Sequence, residues 1–188
     1  MPKQNPWDRL KPVPTGDSTR TSIYTAVGMA LDQWEAAQEN LEILFCVLVE
    51  SESLESYSYP LRRAFGTLES VPNKVGMMRE AAAVSLGNNK ILLEKTRALL
   101  TEIEQFSFRR NDIAHGQVNM YRRGPSGWFL TPGFHQTKKR ALGSPDPVAY
   151  RWTADQINQY TTEFRRLQND VRALFTEINV ARQPQKSS

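Results

Sequence analysis

The sequence has one cysteine, two histidines and no apolar run approaching membrane length. A lone Cys46 cannot form an internal disulfide, which fits a reducing compartment. The longest unbroken apolar run, Ile43 to Val49, falls far short of the roughly 20 residues a membrane-spanning helix needs. The N-terminal stretch is polar, carries Pro2, Pro6, Pro12 and Pro14, and lacks the apolar core of a secretory signal. The expected location is therefore cytoplasmic, with no membrane partner. So few histidines and cysteines would force a zinc site to borrow carboxylates, so no metal is expected. Neither a Gly-Lys-Ser/Thr phosphate loop nor a Gly-x-Gly-x-x-Gly fingerprint occurs, and no cofactor is expected. No serine stands in a nucleophile-elbow context.

What is present is a chain of 188 residues, long enough for one well-buried core. Its charge is uneven. Between Ser107 and Trp152, Arg109, Arg110, Arg122, Arg123, Lys138, Lys139, Arg140 and Arg151 face only Asp112 and Asp146. The local excess of positive charge is thus larger than the +4 of the whole chain. Such a field favours an anionic partner, nucleic acid first, although basic loops also serve solubility alone.

Periodicity predicts an all-α bundle of four to five helices with an inserted β-hairpin or irregular excursion. Residues 1–20, rich in proline and small polar residues, read as a flexible lead-in. A long helix is expected from Thr21 or Ser22 to about Ser51, with Val27, Leu31, Trp34, Leu41, Phe45 and Leu48 on one face. Pro60 opens a second helix reaching about Leu68. A turn at Val71-Pro72-Asn73 should precede a helix from Lys74 to Leu86, ended by Gly87-Asn88. Leu92, Thr96, Leu99, Ile103 and Phe106 form the seam of the next helix, and Arg110 and Ile113 continue its phase up to a stop at Gly116. The period is lost over the insertion, residues 117–152. There the pieces Gly124 to Leu130 and Val148 to Trp152 have hairpin character. Thr153 caps a last helix that buries Ile157, Tyr160, Phe164, Leu167, Val171, Leu174 and Ile178. The helical domain spans residues 21–181, and residues 182–188 read as a frayed tail.

Few residues invite a chemical role. Cys46 lies within an apolar run and reads as a small buried hydrophobe. Trp34 and Trp152 read as core. His135, beside Lys138-Lys139-Arg140, reads as a solvated loop histidine or a backbone contact for RNA. The remaining cluster is Arg110-Asn111-Asp112-Ile113-Ala114-His115. Arginine offers a permanently charged fork suited to phosphate, and histidine exchanges protons near neutral pH. Together they could cleave a phosphodiester without metal, the histidine taking the 2′-hydroxyl proton and the arginine holding the charged phosphate. On an ideal helix Arg110 and His115 point about 140° apart, whereas Asn111 and His115 share a face. Arg110 reaches that face through its length or through a bend, or two copies of the segment line one groove in a dimer. Composition alone also accommodates a plain helix end, finished by basic residues and Gly116.

The string Arg110-Asn111-Asp112-Ile113-Ala114-His115-Gly116, at the end of an apolar helix, resembles the signature of the HEPN domain family. Members are small helical bundles, many of them metal-independent endoribonucleases. Their mark is an arginine and a histidine four to six residues apart, often with a polar residue after the arginine. The resemblance implies catalytic roles for Arg110 and His115 and a supporting contact from Asn111. It also implies a homodimer with a composite site, and RNA as substrate in toxin–antitoxin or phage-defence settings. An antitoxin or regulatory protein is then an expected partner. Arg109, Arg122, Arg123, Lys138, Lys139 and Arg140 are the expected RNA contacts. The competing readings are a non-catalytic helical dimer that binds RNA, nucleotide or protein, and an interaction module in which Arg110 and His115 only finish a helix.

Overall fold

In the computed structural model, which describes residues 5–50, 59–122, 124–133 and 150–182, the apolar seams become helix faces. The described residues form five helices and one antiparallel hairpin, in chain order α1 (Arg20–Val49), α2 (Tyr59–Gly66), α3 (Val71–Ser85), α4 (Lys90–Ala114), β1 (Gly116–Tyr121), β2 (Gly127–Pro132) and α5 (Ala154–Arg182). The fold is mainly α with an inserted hairpin, as periodicity predicts. Among the described residues no helix is long and apolar enough to cross a membrane. The chain divides into two compact units: Met1–Trp34 with Phe108–Phe164, and Glu35–Ser107 with Arg165–Ser188.

The first unit holds the hairpin. Its strands pair from Gly116↔Pro132 to Tyr121↔Gly127, and Gly124 between them takes φ 79°. A second backbone piece joins at Trp152, whose N–H donates to the Leu130 carbonyl at 2.9 Å while the Leu130 N–H donates back at 2.8 Å. The apolar interior combines Ile23, Ala26, Ala30 and Trp34 of α1 with Phe129, Leu130 and Trp152, and with Ile157, Tyr160 and Phe164 of α5. Trp34 meets Phe164 edge-on at 5.0 Å, and Tyr150 stacks on Trp152 at 4.3 Å. The buried face of α1 is set by its alanines. Val27 and Leu31, expected inside, are half-buried, because the small residues Ala26 and Ala30 occupy the line of closest packing.

Residues 5–19 differ from the expected flexible lead-in. The Tyr160 hydroxyl donates to the Asp8 carbonyl at 2.9 Å and accepts from the Leu10 N–H at 3.1 Å. The Gln156 amide donates to the Lys11 carbonyl at 2.8 Å, and the Ala154 N–H donates to the Asp17 carboxylate at 2.8 Å. Gly16 and Asp17 add backbone bonds to Ser126 and Trp128 of the hairpin. This crossing needs glycine on both sides. A Cβ on Gly16 would lie 2.5 Å from the Trp128 carbonyl oxygen, and Gly127 sits at φ 112° against Gly16. Proline-rich composition thus marks an extended segment whose polar groups find partners far along the chain.

The second unit packs the remaining helices around Leu44, Phe65, Val75, Met78, Leu100, Phe106, Leu167 and Val171. Phe45 and Phe65 stack at 4.6 Å, and Cys46 is fully buried, as read from its apolar setting. The expected turn at Val71-Pro72-Asn73 is instead the first turn of α3. Ser70 caps it, its side chain accepting from the Asn73 N–H at 3.3 Å. Proline fits there because a first-turn residue has no helical acceptor for an N–H. Helix α2 stops at Gly66, two residues before the expected Leu68. Arg182 donates to the Glu50 carbonyl at 3.0 Å and also bonds Val47 and Ser85, satisfying carbonyls left open at the end of α1. Residues 183–188 lie outside the described residues.

Candidate functional site

Helix α4 ends within the cluster singled out above. The His115 N–H donates to the Asn111 carbonyl at 3.1 Å, so the two residues stand one turn apart as the helical period requires. Both are exposed, whereas Asp112 and Ile113 are buried at 6% and 1% exposure. The helix end is therefore two-faced, with an apolar and acidic side turned inward and a polar side outward. Arg110 is half-buried, and its Nη1 donates to the Asn111 side-chain oxygen at 3.3 Å. The length of its side chain carries the guanidinium towards the Asn111 side of the helix.

Asp112 is the structural centre of the cluster. Arg9 binds it with two bonds, Nη2 to Oδ1 at 2.9 Å and Nε to Oδ2 at 3.1 Å. Arg109, one turn back on the same helix, brings Nη2 to 3.2 Å of Oδ2. The Tyr150 hydroxyl donates to the Asp112 main-chain carbonyl at 2.7 Å, and the Arg9 guanidinium lies over the Tyr150 ring at 5.4 Å. Removing a carboxylate from water is costly, and only such dense charge-assisted bonding compensates for it. The bond to Asp112 holds the Arg9 guanidinium above its ordinary pKa. Burial pushes the Tyr150 hydroxyl well up, reinforced by the nearby Asp112 charge, and burial likewise raises Tyr160.

Helix α4 stops before Gly116, as expected, and packing also requires glycine there. A Cβ there would fall 2.7 Å from the Leu130 side chain and 3.0 Å from the Asp112 carbonyl oxygen. The strand can therefore begin directly at the helix end. Gly133 plays a matching part, since its Cβ would lie 2.5 Å from the His115 carbonyl oxygen. The histidine thus stands at a junction where the backbone on both sides is closely packed.

The expected RNA contacts separate. Arg122, just beyond β1, is exposed. Arg109 points inward, with a side chain 13% exposed and paired with Asp112. Its spacing from Asp112, three residues along a helix, is a signal for that pairing. Arg123, Lys138, Lys139, Arg140 and His135 lie outside the described residues. Sequence reasoning passed over Arg9 and Tyr150. Tyr150 belonged to an aromatic piece read as hairpin or irregular excursion, but Arg9 carried no signal. Among the described residues, no three histidine, cysteine or acidic side chains are grouped so that they could hold a metal ion. Comparison of the chain with protein-family models, curated proteins and solved structures gives no match.

Proposed function

We propose that this chain is a HEPN-like, metal-independent endoribonuclease that works in the cytoplasm as a homodimer. Arg110 holds the scissile phosphate, and His115 takes the proton from the ribose 2′-hydroxyl. The freed oxygen attacks phosphorus, the bond to the 5′-oxygen breaks, and that oxygen takes a proton from the second copy's histidine. The products are a 2′,3′-cyclic phosphate and a 5′-hydroxyl. Asn111 steers the arginine, and Arg122 supplies charge along the RNA path. The observation that carries this reading is the division of the α4 end, which buries Asp112 and Ile113 while exposing Asn111 and His115. Arg110, bonded to the Asn111 side chain, stands beside the exposed pair. Toxin or phage-defence action, with an antitoxin partner, is the setting that such an activity suits.

The test is incubation of the purified protein with total cellular RNA in EDTA, beside His115→Ala. Fragments with cyclic phosphate ends from the parent protein alone are the expected result. Equal cleavage by the variant would remove the proposed role of His115. Intact RNA in both samples, with binding that weakens as salt is added, would assign the chain to a non-catalytic RNA-binding dimer.

A further inference from the structure

We propose that Arg9 is a positioning residue for the site at the end of α4, an inference that rests on the ribonuclease reading above. Asp112 lies next to Asn111 and three residues before His115, so the main chain at Asp112 carries both exposed groups. The carboxylate's two guanidinium partners are not equivalent. Arg109 belongs to α4 itself, so that pair moves with the helix and ties it to nothing else. Arg9 comes from 103 residues away, and its two-bond grip fixes both the position and the rotation of the carboxylate.

Arg9 is itself held on both sides. The Tyr160 hydroxyl bonds Asp8 and Leu10, the residues immediately before and after it. One residue further on, the Lys11 carbonyl accepts from Gln156. A continuous line of bonds therefore runs from α5 through residues 8–11 and the Arg9 fork to Asp112. The Tyr150 hydroxyl bonds the Asp112 main-chain carbonyl, and the Arg9 guanidinium lies over the Tyr150 ring. Asn111 and His115 are thus carried on main chain that the Arg9 fork ties to residues 8–11, and substituting Arg9 removes that tie.

The test compares Arg9→Ala and Arg9→Lys with the parent protein in RNA cleavage. Lysine keeps the charge but cannot make the two-bond fork. Arg9→Ala should lower kcat by about tenfold or more, because misplaced reacting groups lose rate rather than affinity. KM should hold, Arg9→Lys should fall between, and added guanidinium ion at millimolar concentration should restore part of kcat in Arg9→Ala. An unchanged kcat would overturn the proposal. So would a rise in KM alone, which would make Arg9 an RNA contact. Amide exchange at the His115 N–H is read in parallel and requires no activity. It should quicken in Arg9→Ala and stay unchanged in Lys95→Ala, which breaks the exposed Lys95–Glu177 pair of 2.7 Å. If the parent protein cleaves no RNA, the ribonuclease reading falls, and the exchange rates alone decide whether Arg9 holds the helix end.

Discussion

At the scale of single residues, neighbours in the sequence do very different work. Asn111 and His115 face outward while Asp112 and Ile113 face inward, and the alternation follows from 3.6 residues per turn. The string from Arg110 to Gly116 was legible as a unit because arginine, asparagine and histidine at the end of an apolar helix are conspicuous. The role of Asp112 was not, since its main partner lies far off in a segment without periodicity. A single arginine among prolines gives no spacing from which to infer a partner. Gly116 was legible as a helix stop, but not as room for Leu130. We expect Gly116→Ala to cost about 1–3 kcal/mol, the usual penalty for forcing a methyl group into filled space. Urea denaturation of the variant measures it, and a loss near zero would show that the Leu130 side chain can yield.

At the scale of elements, periodicity served best where one helix face was both long and apolar. All seven positions assigned to the inner face of α5 are buried, from Ile157 to Ile178. Its start was legible too. Thr153 and Gln156 form a reciprocal cap, with the Gln156 N–H donating to Thr153 Oγ1 at 3.4 Å and the Thr153 N–H donating to Gln156 Oε1 at 3.2 Å. Asp17 adds a carboxylate at the same helix end. We expect Thr153→Ala to lower stability by about 1 kcal/mol, with the Asp17 bond retained. Thermal unfolding of Thr153→Ala beside Asp17→Ala separates the two contributions. Punctuation residues were the weaker guide. Pro72 was read as a turn where it opens α3, because proline suits both places and only Ser70 and its bond to Asn73 distinguish them. In the same way, Pro6, Pro12 and Pro14 stand in a segment held by distant partners, which composition alone cannot separate from a flexible lead-in.

At the scale of the whole molecule, alkaline pH bears on the first unit through its buried tyrosines. An unfolded tyrosine loses its proton near pH 10 (about 10 in unfolded peptides), and burial raises both Tyr150 and Tyr160 in the folded state. The neutral hydroxyls thus favour folding fully below that pH, and their contribution is lost as pH rises through the raised folded values. Stability should therefore fall on the alkaline side of about pH 10. Tyr160→Phe should be less stable at neutral pH by about 1–2 kcal/mol, having lost its bonds to Asp8 and Leu10. It should also show a shallower alkaline decline, as urea midpoints across the pH range would reveal. A decline as steep as the parent's would assign the effect to other groups.

The pinning of residues 8–17 also bears on the order in which the chain is made. The bonds from Tyr160 and Arg9 join positions 152 and 103 residues apart. The segment therefore leaves the ribosome well before either partner exists. The Arg110–His115 string emerges while Gln156 and Tyr160 are still unsynthesised, so it is displayed for a time without the line of bonds that sets it. A nascent or prematurely ended product would carry the motif with the Arg9 segment unsecured. The line of bonds from residues 8–11 can therefore close only once translation has passed Tyr160, in the first two turns of α5.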